Sequence, residues 1–165
     1  MVRNAFFSRA AVLAALLSFL PAVIVMSPSA SAQQAQFRKD KLTIKTSTGD
    51  HVIAIEVAET NEQKSLGLMF RTSVPANTGM LFPYGDPQEL TMWMRNTYAS
   101  LDMVFIRRDG TVHRIEYSTE PLSERVISSK GAVTAVLELA AGEANRLGIK
   151  AGDRVEHETF NAGKK

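Results

Sequence analysis

The segment from residue 92 to residue 102 carries the side chains best suited to form a site. It contains Trp93, the only tryptophan of the chain, followed by Arg95, Asn96 and Asp102. The rest of the segment is largely apolar, and polar groups in such a segment must find hydrogen-bond partners or line a cavity. The tryptophan ring could stack on a sugar or an aromatic group, but among methionines we expect it to be largely buried. The sequence therefore predicts a ligand-binding site that includes these four residues.

Two carboxyl groups are candidates for acid/base chemistry. Asp102 precedes an apolar run, and Glu138 interrupts another at 136–139. Together they could serve a hydrolase or lyase. Alternatively, Asp102 accepts backbone amides in a turn, or pairs with Arg71 or Arg95. Arg71 could clamp a ligand carboxylate, or form a salt bridge within the fold.

Several classes of chemistry are disfavoured. The chain has no cysteine, which excludes thiol catalysis, disulfides and cysteine metal sites. Its three histidines, at positions 51, 113 and 157, lack the spacing of a metal-binding motif. No nucleophile elbow, P-loop or dinucleotide fingerprint occurs. The sequence therefore predicts no cofactor and no metal, and it favours a non-catalytic protein over an enzyme.

The first thirty-two residues have the pattern of a secretory signal peptide. Arg3 and Arg9 precede an apolar stretch at 10–25, and Ala30-Ser31-Ala32 has the small-x-small form of a cleavage site. The alternative is a retained membrane anchor, since the apolar stretch approaches the length needed to span a bilayer. The pattern predicts cleavage after Ala32 and a periplasmic or secreted protein that does not stay in the membrane.

The chain after the expected cleavage is one domain in size and electrically balanced. It has about 133 residues, the length of a single ordinary domain. Both positive residues of the leader are removed, which leaves 17 Lys and Arg against 17 Asp and Glu. Because no basic excess remains, the sequence predicts no nucleic-acid partner.

Short alternating segments separated by turns dominate the remaining chain. Residues 33–40 are predicted as a flexible lead-in, 41–160 as a single β-rich domain and 161–165 as a frayed tail. Thr60 and Gln63 form a predicted capping box, which favours a short helix at 61–66. A second short helix is predicted at 143–147. The predicted strands comprise a hairpin around the turn at 47–50 and segments near 80–82, 90–95, 102–107, 111–117, 132–139 and 154–160. This pattern indicates a mainly β fold: a compact antiparallel β-barrel or a jelly-roll-like sandwich with one or two short helices.

Four blocks of residues, in order along 42–156, resemble the domain of unknown function 192 family, also called uncharacterised protein family 0127. They are Gly67-Leu68-Met69-Phe70-Arg71, then Gly79-Met80-Leu81-Phe82, then Trp93-Met94-Arg95-Asn96-Thr97 with Leu101-Asp102-Met103, and finally Val136-Leu137-Glu138-Leu139 with Leu147-Gly148-Ile149-Lys150. The resemblance implies a compact, mostly β fold found in small exported proteins, and it implies no activity. Arg95 stands where the family usually has lysine, which keeps the cation but changes its geometry.

The hypothesis that these observations favour is an exported, non-catalytic binding module. Its ligand would be a small polar or saccharide-like molecule, or an envelope protein. The predicted binding residues are Arg71, Trp93, Arg95, Asn96 and Asp102. One alternative is a periplasmic hydrolase or lyase that uses Asp102 and Glu138, and another is a purely structural or folding-support protein.

Overall fold

The computed structural model describes residues 36–160, which contain seven strands and two short α-helices. The predictions for the signal peptide, for its cleavage after Ala32 and for the tail at 161–165 lie outside the described residues. The strands are β1 (Arg38–Thr46), β2 (Gly49–Val57), β3 (Thr78–Met92), β4 (Leu101–Ile106), β5 (Val112–Glu116), β6 (Ile127–Ala140) and β7 (Arg154–Glu156). The helices are α1 (Asn61–Leu66) and α2 (Glu143–Arg146), and a 3-10 turn spans Glu158–Phe160. Within the described range, no helix is both long enough and apolar enough to cross a bilayer.

All seven strands belong to one curled sheet in the order β5-β4-β6-β3-β2-β1-β7. Every pairing is antiparallel except that between β2 and β3. A parallel pair needs a crossover connection, and the segment that contains α1 provides it. The mainly β fold with short helices that the sequence predicts is therefore confirmed.

The two edges of the sheet come together at one end. The backbone amide of Val112 on β5 donates to the carbonyl of Asp153 at 2.8 Å, and that of Val155 on β7 donates to Gly110 at 2.8 Å. The sheet therefore has an inner face, which we define by the cluster of Leu42, Ile44, Ile53, Leu81, Val104, Leu137 and Val155. These side chains are all buried, so the inner face is the larger part of the core.

A second core covers the outer face of the sheet. We define this face by Met80, Phe82, Met103, Phe105 and Val136, which alternate along their strands with inner-face residues. The loops after α1 and after β3 contribute Leu68, Met94 and Ala99 to the same cluster. Loops therefore cover the outer face, and binding residues in a β fold usually lie on such loops.

Most predicted elements are confirmed, and the first boundary differs. The hairpin and the capping box at Thr60 and Gln63 are both present. However, β1 begins at Arg38, whereas the lead-in was predicted to extend through residue 40. The earlier start follows from burial of Phe37 and from ion pairs of Arg38 with Asp40 and Glu59.

The predicted strands at 80–82 and 90–95 are one long strand, β3. The residues Tyr84 to Pro87, which lie between those two predicted strands, form an irregularity between Pro83 and Gln88 in the pairing with β6. The strand also ends at Met92, before Trp93. Beyond it, the amide of Met94 bonds to the carbonyl of Ser123 in a loop, so the chain leaves the sheet.

Candidate functional site

Glu138 is a buried carboxyl group without a partner among the described residues. It lies in the interior of β6, opposite Met80 of β3 and Met103 of β4, and its side chain projects to the outer face. It is 4% exposed. No hydrogen bond or ion pair to its carboxyl group occurs within residues 36–160, where other buried carboxyls such as Glu143 are paired. Of the described residues, only Thr134 Oγ1 is a fully buried polar side-chain atom without a partner, so the unpaired oxygens of Glu138 reach the open space beside them.

Burial raises the pKa of Glu138 from 4.5 to about 8. The cause is desolvation, which penalises the charged form when no cation compensates it. Glu138 is therefore mostly protonated at neutral pH and can both donate and accept a hydrogen bond. Perturbed carboxyls of this kind, facing a cleft, are candidates for functional sites.

Glu138 faces a small cavity of about 100 Å³. Its wall includes side chains from the α1 region, from β3 and from the loop that follows β3, among them Lys64, Leu68, Met69, Phe82, Tyr84, Met92, Trp93 and Thr97. A wider surface groove of about 530 Å³ shares Lys64, Tyr84 and Trp93 with the cavity. The cavity is thus the deep end of a groove that opens to solvent.

Two glycines allow the backbone to build this cavity. Gly67 ends α1 with φ = 47°, and a Cβ there would lie 3.2 Å from the Phe82 ring. Because glycine has no Cβ, the end of α1 can pack closely against Phe82 in the cavity wall. Gly79 of β3 is opposite Leu139, and a Cβ there would lie 2.5 Å from the carbonyl oxygen of Glu138. The strand that carries Glu138 therefore depends on a glycine beside it.

The segment 93–97 is fixed between two neighbouring loops. The amide of Phe70 donates to the carbonyl of Asn96 at 2.8 Å, and the amide of Leu122 donates to that of Thr97 at 3.1 Å. Phe70, Asn96 and Leu122 all adopt positive φ. Such conformations are rare for bulky residues and persist only where the surroundings enforce them. The rim that carries Trp93 is therefore held in a defined position.

Two further titratable groups share the cavity with Glu138. The ammonium group of Lys64 lies 4.9 Å from the centre of the Tyr84 ring, a cation–π arrangement. Burial lowers the pKa of Lys64. Burial, and then the nearby charge of Glu138, raise the pKa of Tyr84. The cavity thus combines a deep carboxyl, an aromatic wall and a cation at its mouth.

Trp93 lines both the cavity and the groove, yet it is 49% exposed. The prediction that it is largely buried is therefore wrong. The strand ends one residue before it, so the ring is on the rim and not in the sheet. One face of the ring has the Arg95 guanidinium 5.7 Å from its centre.

The other predicted binding residues do not line this cavity. Arg71 forms a 2.5 Å salt bridge with Glu56 of β2, the alternative left open for it. Arg95 is exposed and lies 3.7 Å from Glu124. Asn96 occupies a left-handed turn position, which asparagine tolerates well. The structure therefore brings Trp93 together with Glu138, but not Arg71, Arg95 or Asn96.

Asp102 lies on the opposite face of the sheet from Glu138. It pairs in register with Leu139, the next residue, and successive side chains of a strand point to opposite faces. It is fully buried, and its two oxygens accept the amides of Ser118 and Ala144, both at 2.9 Å. The predicted acid/base pair of Asp102 and Glu138 is therefore not formed, and Asp102 fills the amide-accepting role given as its alternative.

One cluster outside the cavity has side chains of the metal-ligand type. Single ligand atoms of Asp40, His157 and Glu158 lie within 4.8 Å of one another. Arg38 reaches the same place, where it pairs with Asp40 and, at 2.9 Å, with Glu158. A guanidinium in the cluster supplies the positive charge that a cation would otherwise bring, so the donors form an ion-pair network.

Lys64 and Tyr84 are site residues that the sequence reading missed. Lys64 lies within the helix predicted at 61–66, and Tyr84 lies between the strands predicted near 80–82 and 90–95. Nothing in their immediate neighbours signals the cavity, because they reach it through the crossover and through the irregularity in β3. The interruption of an apolar run by Glu138 was the one local signal.

The fold and the site together define a small β-domain with a buried carboxyl at the end of a surface groove. The chain belongs to the DUF192 family, described as an uncharacterised ACR, whose model matches residues 43–157. The solved structure of a proposed transcription regulator from Sinorhizobium meliloti 1021 is similar to this chain. The two sequences are 39% identical, and the two structures superpose with a TM-score of 0.74. That match covers 76% of this chain and 98% of the other.

A second solved structure gives the same fold. It is a protein of unknown function from Novosphingobium aromaticivorans DSM 12444, with 38% identity and a TM-score of 0.72. The match covers 76% of this chain and 89% of that one. None of the curated proteins matches the chain. The family assignment is thus confirmed, and it brings a fold without an activity.

Proposed function

We propose that this protein is a binding module for a small polar ligand, which enters the groove beside α1 and ends at Glu138. The observation that carries the proposal is the isolated carboxyl group at the base of the cavity. A ligand polar group placed there would supply the partner that the described residues do not provide. The energy cost of burying Glu138 is then offset when the ligand binds.

The walls of the cavity support a ligand with an apolar or ring-shaped body. Phe82, Met92 and Trp93 surround the path between the groove and Glu138. Ser65, Thr91 and Thr97 add polar groups to the same wall, and concave sites that combine apolar side chains with placed polar groups are typical of small-molecule binding. The exposed ring of Trp93 at the mouth can stack on a saccharide ring or cover an alkyl chain.

The hydrolase or lyase alternative has less support. It requires two carboxyl groups around one substrate, and those of Asp102 and Glu138 project to opposite faces of the sheet. Among the described residues, the other titratable groups of this cavity are Lys64 and Tyr84 and not a second carboxyl, which favours binding over a two-carboxyl mechanism.

We extend the proposal to an exported protein, on the basis of the leader-like residues 1–32. Protein recovered from the periplasm should have the intact mass of a chain that begins at Gln33. A recovered mass that includes Met1 would refute export with cleavage.

The function described for the Sinorhizobium protein is not part of the proposal. A regulator that binds nucleic acid directly needs a basic surface to neutralise phosphates. From residue 33 onward this chain carries equal numbers of basic and acidic residues. The charge balance therefore favours a small-molecule ligand.

Calorimetric titration with four small probes tests the proposal. We choose n-butanol, n-butylamine, n-butyrate and glucose, because the first three are four-carbon compounds that end in different polar groups. At least one should bind saturably. Trp93→Ala should weaken that binding at least fivefold while changing the free energy of unfolding by less than about 1 kcal/mol, since the ring is half exposed.

Tyr117→Ala is the matched control. Tyr117 is also an exposed aromatic residue, at 43%, and it lines neither the cavity nor the groove. This variant should bind as the wild type does. If no probe binds, or if both variants lose affinity equally, the cavity is not the binding site and the proposal fails.

A further inference from the structure

We propose that the ligand carries an amine and that its ammonium group pairs with Glu138. This inference rests on the proposed function and assigns a ligand class to the same site. A cation is the one polar partner that both hydrogen-bonds the carboxyl and allows it to ionise in a buried position.

The surroundings of Glu138 show what the cavity lacks. The apolar neighbours Leu68, Met69 and Phe82 cannot donate a strong hydrogen bond, and the Lys64 ammonium is more than 4.0 Å from the carboxyl, beyond ion-pair distance. Met80 and Met103 flank Glu138 on the two neighbouring strands. No cation of residues 36–160 lies within ion-pair distance of the carboxyl, so an ammonium group of a ligand in the cavity could pair with it.

The aromatic wall favours the same class of ligand. The partly buried Tyr84 and the exposed Trp93 each have a cation of the chain near the ring. Aromatic ring faces attract ammonium groups, and the attraction is stronger when the ring and the cation are shielded from water. An amine that enters past Trp93 competes with Lys64 and Arg95 for these ring faces, and it then meets the carboxyl at the base.

Other ligand classes fit less well. A neutral alcohol can bond to the protonated carboxyl but leaves it unable to ionise. A carboxylate could pair with Lys64 at the mouth, yet it would approach a second carboxyl in a site of low dielectric, where like charges repel strongly. Lys64 itself is a competing cation, since it lines both the cavity and the groove.

Binding of an ammonium group by a protonated carboxyl releases a proton. The ligand stays positively charged, Glu138 passes from acid to carboxylate, and the proton leaves to solvent. Of the groups that share the cavity, Tyr84 has its pKa raised by burial and Lys64 has its pKa lowered by burial, so the Lys64→Met variant is needed to separate any contribution of Lys64 to the proton count. At pH 7, where Glu138 is mostly protonated, nearly one proton should be released for each amine bound.

The test is titration of n-butylamine and n-butanol in buffers that differ in ionisation enthalpy, between pH 5 and pH 9. The amine should bind at least tenfold more tightly than the alcohol at pH 8 and release nearly one proton at pH 7. Its affinity should rise about tenfold for each pH unit between 5 and 7 and level off above 8. The alcohol should release no proton and should bind less tightly above pH 8.

Two variants sharpen the result. Glu138→Gln keeps the size of the side chain but cannot ionise, so the amine should lose both its advantage and the proton release. Lys64→Met removes the competing cation and keeps an unbranched side chain, so it should strengthen amine binding and weaken butyrate binding. If Glu138→Gln does not fold, the proton count of the wild type and the Lys64→Met variant still decide.

The outcomes separate this inference from the proposed function. If n-butanol or glucose binds as tightly as the amine, or if the amine binds without proton release, the ligand class is wrong and the binding function stands. If butyrate binds more tightly than n-butylamine, the assignment of an amine as the ligand class is likewise wrong. If none of the probes binds, both fail.

Discussion

Glu138→Gln should stabilise the protein against unfolding by about 3–5 kcal/mol at pH 9 and leave its stability unchanged near pH 4. The reason is that the pKa of Glu138 in the wild type differs between the folded and the unfolded state. In the folded state the pKa of Glu138 is about 8, whereas the ordinary value for glutamate is 4.5. Each pKa unit corresponds to about 1.36 kcal/mol of stability.

The direction of this change in stability depends on whether the folded or the unfolded chain holds the proton. Below pH 4.5 both states are protonated, and the side chain behaves much as glutamine would. Between 4.5 and 8 the unfolded chain releases its proton while the folded chain retains it, so the wild type loses stability as the pH rises. Above 8 the loss is complete. Glutamine does not titrate, so the Glu138→Gln variant does not undergo this loss of stability.

Urea unfolding of both proteins at pH values from 4 to 9 measures this difference directly. Glu120→Gln is the control, because Glu120 is an exposed glutamate whose side chain has no hydrogen bond within the described residues. That variant should follow the pH profile of the wild type. If Glu138→Gln is no more stable than the wild type at pH 9, Glu138 is already ionised and compensated, and the cavity holds no neutral acid.

The fold was predictable because its signals are local. Alternation of apolar residues gives the β1–β2 hairpin, and the Thr60–Gln63 capping box gives α1. Both depend on neighbours in the sequence. The parallel pairing of β2 with β3, and the placement of β6 between β3 and β4, depend on distant segments. No residue pattern within either strand specifies its neighbour.

The site was only partly predictable for the same reason. The interruption of an apolar run marked Glu138, and the single tryptophan marked Trp93. The sequence could not show that Asp102 and Glu138 project to opposite faces, because the register between β4 and β6 decides it. A shift of that register by one residue would have placed both carboxyls on one face.

Asp102 should behave as a structural residue. We expect Asp102→Asn to reduce the free energy of unfolding by about 1–3 kcal/mol and Asp102→Ala to reduce it by about 2–6 kcal/mol. Both oxygens accept backbone amides, one from Ser118 and one from Ala144. Asparagine offers one acceptor and turns a donor towards the other amide, whereas alanine leaves both amides unpaired at about 1–3 kcal/mol each.

Thermal and urea unfolding measure these losses, and Asp109→Asn is the matched control. Asp109 is exposed and one of its oxygens accepts the amide of Thr111, a bond that asparagine can preserve. The control should lose less than about 0.5 kcal/mol. Since Asp102 faces the core on the inner side of the sheet, probe binding in the Glu138 cavity should survive in Asp102→Asn. A variant that melts like the wild type but no longer binds would place Asp102 in the binding machinery, because only a role outside the amide network could produce that combination.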